Sequence, residues 1–173
     1  MEQDYCLRRA ELDEIPAMYA LMRRVYELLP DQDVFAVENM DEVWFHAQLA
    51  GTGFGVTARA RDGALAGILI VCVPGDREDN LGYDVGFSQE QRARVALMDT
   101  AAVAPEHRGH GLEKRMLRFA EEELRGTGIR YLMCTVSPHN PPSLKSVQAN
   151  GYQILCTKEK YGGHLRHVLM KEI

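Results

Sequence analysis

Arg108, Gly109, His110 and Gly111 stand where a strand gives way to a helix, inside the stretch Val103 to Leu117, VAPEHRGHGLEKRML. Glycines and basic groups at such a junction gather several backbone N–H groups where the helix begins. A helix N-terminus carries unpaired donors and the positive end of the macrodipole, so the junction reads as an anion cradle. Lys114 and Arg115 follow in the first turn, where the dipole disfavours cations unless a polyanion fills the cradle. The pattern points to a phosphate-bearing ligand. Asp99 is the second group of interest, a lone carboxylate in the apolar stretch VALMDTAAVA. It lies four residues before Val103, and on an unbulged strand it shares a face with Ala101 and Val103. Such a carboxylate is either a general base or a structural group bonded to a loop backbone.

The remaining chain must position these groups. Residues 95–104 read as a strand. After the turn, Leu112, Met116, Leu117, Ala120 and Leu124 share one helical face, Glu121, Glu122 and Glu123 read as solvated, and Gly126 and Gly128 end the helix. Residues 4–9 read as a strand. Residues 12–29 carry Ile15, Met18, Tyr19, Met22, Tyr26 and Leu29 at helical spacing, with Asp13 as N-cap and Pro30 as stop. A second helix spans 41–50. Strands at 55–60 and 64–73 form a hairpin around Arg61-Asp62-Gly63. Residues 76–94 are polar and irregular, with a short helix near 88–94. A strand at 130–136 and a short helix at 141–150 follow, the helix opening on prolines. Strands at 152–158 and 164–171 close the chain. Without repeats or linkers, residues 1–173 read as a single domain.

Composition narrows the function. The 173 residues are 46% hydrophobic and 26% charged, which suits a globular protein with a real core. No apolar run reaches about eighteen residues and MEQDYCLRRAEL shows no signal region, so a cytoplasmic protein without a membrane partner is expected. Cys6, Cys72, Cys134 and Cys156 are scattered through apolar stretches without metal-site spacing, and read as buried free thiols; no metal is expected. A net charge of −5 argues against nucleic acid. Gly109-His110-Gly111 supplies only part of a dinucleotide fingerprint, and P-loop, zinc and G-x-S-x-G patterns are missing.

The element order β-α-α-β-β-β-α-β-α-β-β over the whole chain, the R-x-x-G-x-(G/A) type motif at Arg108 to Glu113, and Asn140 followed by Asn150-Gly151-Tyr152 together resemble the GNAT superfamily of acyl-CoA-dependent N-acyltransferases. The segment from Asp76 through Asp99 is similar to uncharacterised bacterial members. The resemblance implies an α/β (α+β) fold, with a mixed, mostly antiparallel sheet of about seven strands flanked by about four helices. It implies acetyl-CoA as cosubstrate, its pyrophosphate on Arg108, Gly109, His110, Gly111, Leu112, Glu113 and Lys114. The pantetheine would lie along Ala101, Ala102 and Val103 like an added strand, near Asn140, Ser143 and Ser146. The Val103 N–H would face the thioester carbonyl, as in an oxyanion hole. Lys114, Arg115 and Arg118 are alternatives for the 3′-phosphate. Two positions depart from the family pattern. Glu113 stands where the motif has Gly or Ala, and is expected to turn outward toward the helix dipole. Val147 stands where many members have a tyrosine that protonates the leaving thiolate, with Ser146 and Tyr161 as weak substitutes.

The acceptor implied is a small-molecule or peptide amine. An alkylammonium of pKa about 10.4 needs a base to become nucleophilic. Asp99 is the candidate; Glu106 reads as exposed and His139 as a solvated loop residue. Acidic residues Asp31, Asp33, Glu38, Asp41 and Glu42, and Asp76, Glu78, Asp79 and Asp84, would attract a cationic amine if they face the cleft. Phe35, Trp44, Phe45, Tyr83 and Phe87 are candidate cleft aromatics, Trp44 and Phe45 rather core. A homodimer is expected from the resemblance alone. The alternative function is a non-catalytic acyl-CoA-binding or regulatory domain that keeps the fold.

Overall fold

A computed structural model describes residues 4–37 and 39–173. Seven strands form one sheet: β1 (Cys6–Arg9), β2 (Phe54–Arg59), β3 (Leu65–Cys72), β4 (Val95–Val103), β5 (Tyr131–Val136), β6 (Gln153–Lys160) and β7 (His164–Glu172). Their order is β1-β2-β3-β4-β5-β7-β6, and every pairing but one is antiparallel. The exception is β4 with β5, parallel and confined to Val95–Leu97 against Tyr131–Met133.

Helices cover both faces. On one side α1 (Ile15–Glu27) and α2 (Glu42–Ala50) bury Met18, Met22 and Phe45 against Ile68, Ile70, Leu97 and Met133. On the other, α4 (Leu112–Leu124) buries Leu112, Met116, Leu117, Ala120 and Leu124 against Leu69, Ala96 and Leu132, and α5 (Pro141–Gln148) adds Val147. The one-turn α3 (Gln89–Arg92), capped by Ser88, lies in the irregular segment before β4.

Several local expectations are corrected. Residues 12–14 are a 3₁₀ turn closed by a Glu11/Glu14 capping box, so Asp13 is not the N-cap. That turn satisfies first-turn donors that Asp13 would otherwise have to cap. Further 3₁₀ turns occur at Leu81–Val85 and Pro105–His107. Glu121 is 7% exposed rather than solvated, because Lys171 on β7 and Arg125 both reach its carboxylate. Cys6 is exposed at the sheet edge, while Cys72 and Cys134 are buried. Among the described residues no helix is long and apolar enough to cross a membrane, and no cluster of His, Cys, Asp or Glu could hold a metal.

Candidate active site

The site is built where the sheet splits. β5 leaves β4 after Leu97, so the second half of β4 has a neighbour on one edge only. On that edge the Ala104 N–H donates to the Ala66 carbonyl at 2.8 Å, and Ala102 pairs with Ile68. Antiparallel ladders alternate, so the N–H groups of Ala101 and Val103 point away from β3, into the gap beside β5. A cavity of about 520 Å³ fills this gap and is lined by both strands, by the turn before α4 and by α5.

The glycine turn expected to cradle an anion lies at one end. Gly109 and Gly111 adopt φ of +80° and +66°, with open space where a Cβ would stand. Gly111 begins α4 with no side-chain cap, whereas Asp41 caps α2 and Asn140 caps α5. The first-turn N–H groups of Leu112, Glu113 and Lys114 are therefore available to an anion. Arg108, Gly109, Gly111, Leu112 and Glu113 line the cavity together with Ala101, Ala102, Val103, Asn140, Ser143 and Ser146. His110 and Lys114 do not line it with their side chains. The His110 ring packs on Tyr5, with centroids 5.7 Å apart. Of the remaining cations, Arg115 donates to the Tyr5 carbonyl at 3.2 Å and Arg118 to Asn150 Oδ1 at 3.1 Å. Asn150 also donates to the carbonyls of Lys114 and Ser146, so it clamps α4 to α5, the two walls of the cleft.

Glu113 turns inward, contrary to the outward orientation expected. Its Oε1 accepts a 2.6 Å hydrogen bond from the Ser143 hydroxyl on α5. Desolvation raises its carboxyl pKa, and the Ser143 bond offsets this in part. The inward direction follows from a hydroxyl at the start of α5, which local sequence around Glu113 does not reveal.

Asp99 is the extra residue of a β-bulge. Ile70 pairs with Thr100 and Val71 with Met98, leaving Asp99 without a partner on β3. The unbulged alternation expected for Asp99, Ala101 and Val103 is thus broken, although all three still line the cavity. Asp99 is exposed to solvent where its carboxyl opens onto the cavity, with protein crowded around its other sides. Desolvation pushes its pKa up to about 6, against a 2.8 Å hydrogen bond from the Thr100 hydroxyl. A second cavity of about 520 Å³ meets the first at Met98, Asp99, Cys134 and Thr135. Asp99 therefore sits at the junction of two spaces, one leading to the cradle and one toward β6 and the segment before β4.

Three acids of the second acidic segment are neutralised by cations, and among the described residues those of the first are not. Asp76 pairs with Arg92, Asp79 with Arg77, and Asp84 with both Lys158 and Lys160. Asp41 caps α2 and Asp31 accepts from the Asp33 N–H. Asp31, Asp33 and Glu42 are exposed, and Glu38 lies outside the described residues. Of the aromatics, Phe35 lines the first cavity and Phe45 is core. Trp44 packs edge-on against Phe45, Tyr83 lies under Arg92, and Phe87 packs at a tilt on Tyr131; none of these three lines either cavity. Glu106 is exposed and held by Arg24, and His139 is exposed. Sequence reading missed Leu29, Val34 and Thr135 as lining residues. Tyr161, at φ 53°, places its hydroxyl 3.0 Å from Thr135 Oγ1 at the second cavity.

The acetyltransferase (GNAT) family matches residues 15–152. Among solved structures, the chain is similar to a GNAT-family acetyltransferase from Streptococcus pneumoniae, at 21% identity over 98% of this chain and 99% of that one, with a TM-score of 0.72. It is also similar to a phosphinothricin acetyltransferase from Sinorhizobium meliloti in complex with acetyl-CoA, at 17% identity over 100% and 89%, with a TM-score of 0.74. A ribosomal-protein-alanine N-acetyltransferase from Brucella melitensis gives 18% identity over 97% and 99%, with a TM-score of 0.72. At these identities the likeness is one of fold. No curated protein matches by sequence.

Proposed function

The chain belongs to the acetyltransferase (GNAT) family, and from that premise we propose that it moves an acetyl group from acetyl-CoA to a primary amine by direct attack in a ternary complex. The observation that carries this reading is the gap beside β4, where the Ala101 and Val103 N–H groups open onto a cavity that ends at an uncapped helix N-terminus. These features suit an elongated ligand with a polyanionic end. The open ladder takes amide groups of an extended arm, and the glycine turn takes phosphates without a Cβ in the way.

Bound acetyl-CoA supplies an activated acetyl thioester. The Arg108–Glu113 turn holds the pyrophosphate, and Asn140, Ser143 and Ser146 flank the arm. The Val103 N–H is aimed where negative charge develops on the carbonyl oxygen; losing such a donor costs about 2.7–4 kcal/mol in an oxyanion hole. Asp99 accepts the amine proton, directly or through one water, at the junction of the two cavities. One N–C bond forms and one C–S bond breaks; of the two protons the ammonium loses, one passes by way of Asp99 to solvent and the other is balanced by the proton the thiolate takes up. Val147 offers no proton for the thiolate, and a thiol of pKa about 8.5 takes one from water near neutral pH.

The test is amine-dependent release of free thiol from acetyl-CoA across a broad amine panel. Release that saturates with amine and requires the protein is expected. Binding of acetyl-CoA with no release for any amine would favour the non-catalytic binding domain instead.

A further inference from the structure

The next step rests on the transferase reading and names the acceptor. Beyond Val103 the first cavity continues to the α1 side of the sheet, where Val25, Leu29, Val34 and Phe35 form its wall. Leu29, Val34 and Phe35 are only half-buried, so apolar surface remains turned to the space. The wall is fixed from behind by Arg166, which is 4% exposed and donates to the Asp33 carbonyl. Met98 continues the apolar lining into the second cavity, where Leu81 and Leu97 lie.

The charges lining the second cavity are partly paired with one another. Asp84 is bridged by Lys158 at 2.8 Å and Lys160 at 2.5 Å, two cations on one carboxylate, so Asp84 is not free for a second ammonium. Asp79 is taken by Arg77. Glu78 and Glu159 stand exposed on the rim, where water and salt screen them. Asp99 is the one carboxylate at the junction that has no cation beside it among the described residues, its 2.8 Å partner being the Thr100 hydroxyl.

We propose that the acceptor is a primary amine carried on an apolar body, without a second ammonium. The body packs on Leu29, Val34 and Phe35 and the nitrogen faces Asp99. Two sources share this chemistry, a free arylalkyl or alkyl amine and the amino terminus of a chain that begins with an apolar residue.

The test compares acetyl-CoA-dependent acetylation of 2-phenylethylamine, a Phe-Ala-Ala amide peptide and spermidine. Either of the first two should exceed spermidine by at least tenfold in kcat/KM, and the faster of the pair identifies the source. Phe35→Ala should lower kcat/KM for the preferred amine about tenfold, with the melting shift given by acetyl-CoA retained as evidence of a folded cleft. Spermidine matching the apolar amines would overturn the inference and leave the transferase reading intact. No turnover with any of the three or with the broader panel would overturn both.

Discussion

In the proposed reaction Asp99 and Glu113 are two carboxyls with different work. Asp99 opens onto the junction of the cavities, with its pKa pushed up to about 6 by desolvation. A base acts only when ionised, so kcat/KM is expected to rise with pH through about 6 and level off above it. Asp99→Asn should abolish that limb and lower kcat/KM by about 10²- to 10⁴-fold. An unchanged pH profile in the variant would remove Asp99 from the chemistry. Glu113 faces the cradle, raised by desolvation and bonded to Ser143. A polyanion beside it favours the protonated form, so binding takes up a proton and affinity for acetyl-CoA should fall as pH rises. Glu113→Gln should tighten binding roughly fivefold, about 1 kcal/mol, and flatten the pH dependence. Calorimetric titration in two buffers of different ionisation enthalpy reads the proton directly.

The elements hold these residues through contacts distant in sequence. Glu14, 8% exposed, follows β1 and is reached by Arg8 at 2.8 Å and by Arg59 of β2 at 2.7 Å. Burial raises its pKa, but the Glu11 N–H, Arg59 and Arg8 outweigh that and hold it below the usual value. A depressed folded-state pKa contributes stability above the unfolded value and loses it as pH falls through the folded one. Glu14→Gln should therefore cost about 1–2 kcal/mol at neutral pH, a modest figure because both arginines are partly exposed to screening. The difference between the two proteins in urea denaturation should shrink near pH 3; a constant difference would show that packing, not charge, is lost. Much of this scaffold was legible beforehand. Apolar runs gave the strands of the sheet, and the spacing of Leu112, Met116, Leu117, Ala120 and Leu124 gave α4 and its buried face. The bulge at Asp99 was not legible, because it is a register slip against β3 and needs both strands. Nor was the direction of Glu113, which Ser143 sets from thirty residues away.

In the molecule as a whole, the proposed function follows from one break in an otherwise continuous sheet. The parallel pairing of β4 and β5 is short, and its end opens a passage between the face covered by α4 and α5 and the face covered by α1. Glycine turn and passage are independent features of the chain, and only folding places the cradle at the passage's mouth. The cradle's motif was readable from Arg108, Gly109 and Gly111. The character of the far end was not, since Asp84 and Asp76, two of the acids that suggested a cationic cleft, are paired by Lys158, Lys160 and Arg92 across folded contacts. Phe35 was visible as a candidate, but its neighbours Leu29 and Val34 carry no polar signal that marks them as lining a site.

The central claim is that this passage binds acetyl-CoA through its polyanionic end and its arm together. A thermal-shift titration with acetyl-CoA, with CoA and adenosine 3′,5′-bisphosphate alongside, tests it most directly. At about 100 times its dissociation constant, acetyl-CoA should add roughly 2.7 kcal/mol to native stability. For a chain of this length that is a rise of roughly 5–10 °C, saturable with ligand and larger than the bisphosphate gives at the same concentration. No shift up to millimolar acetyl-CoA would mean that the inward Glu113 closes the cradle, and the transferase account would be wrong.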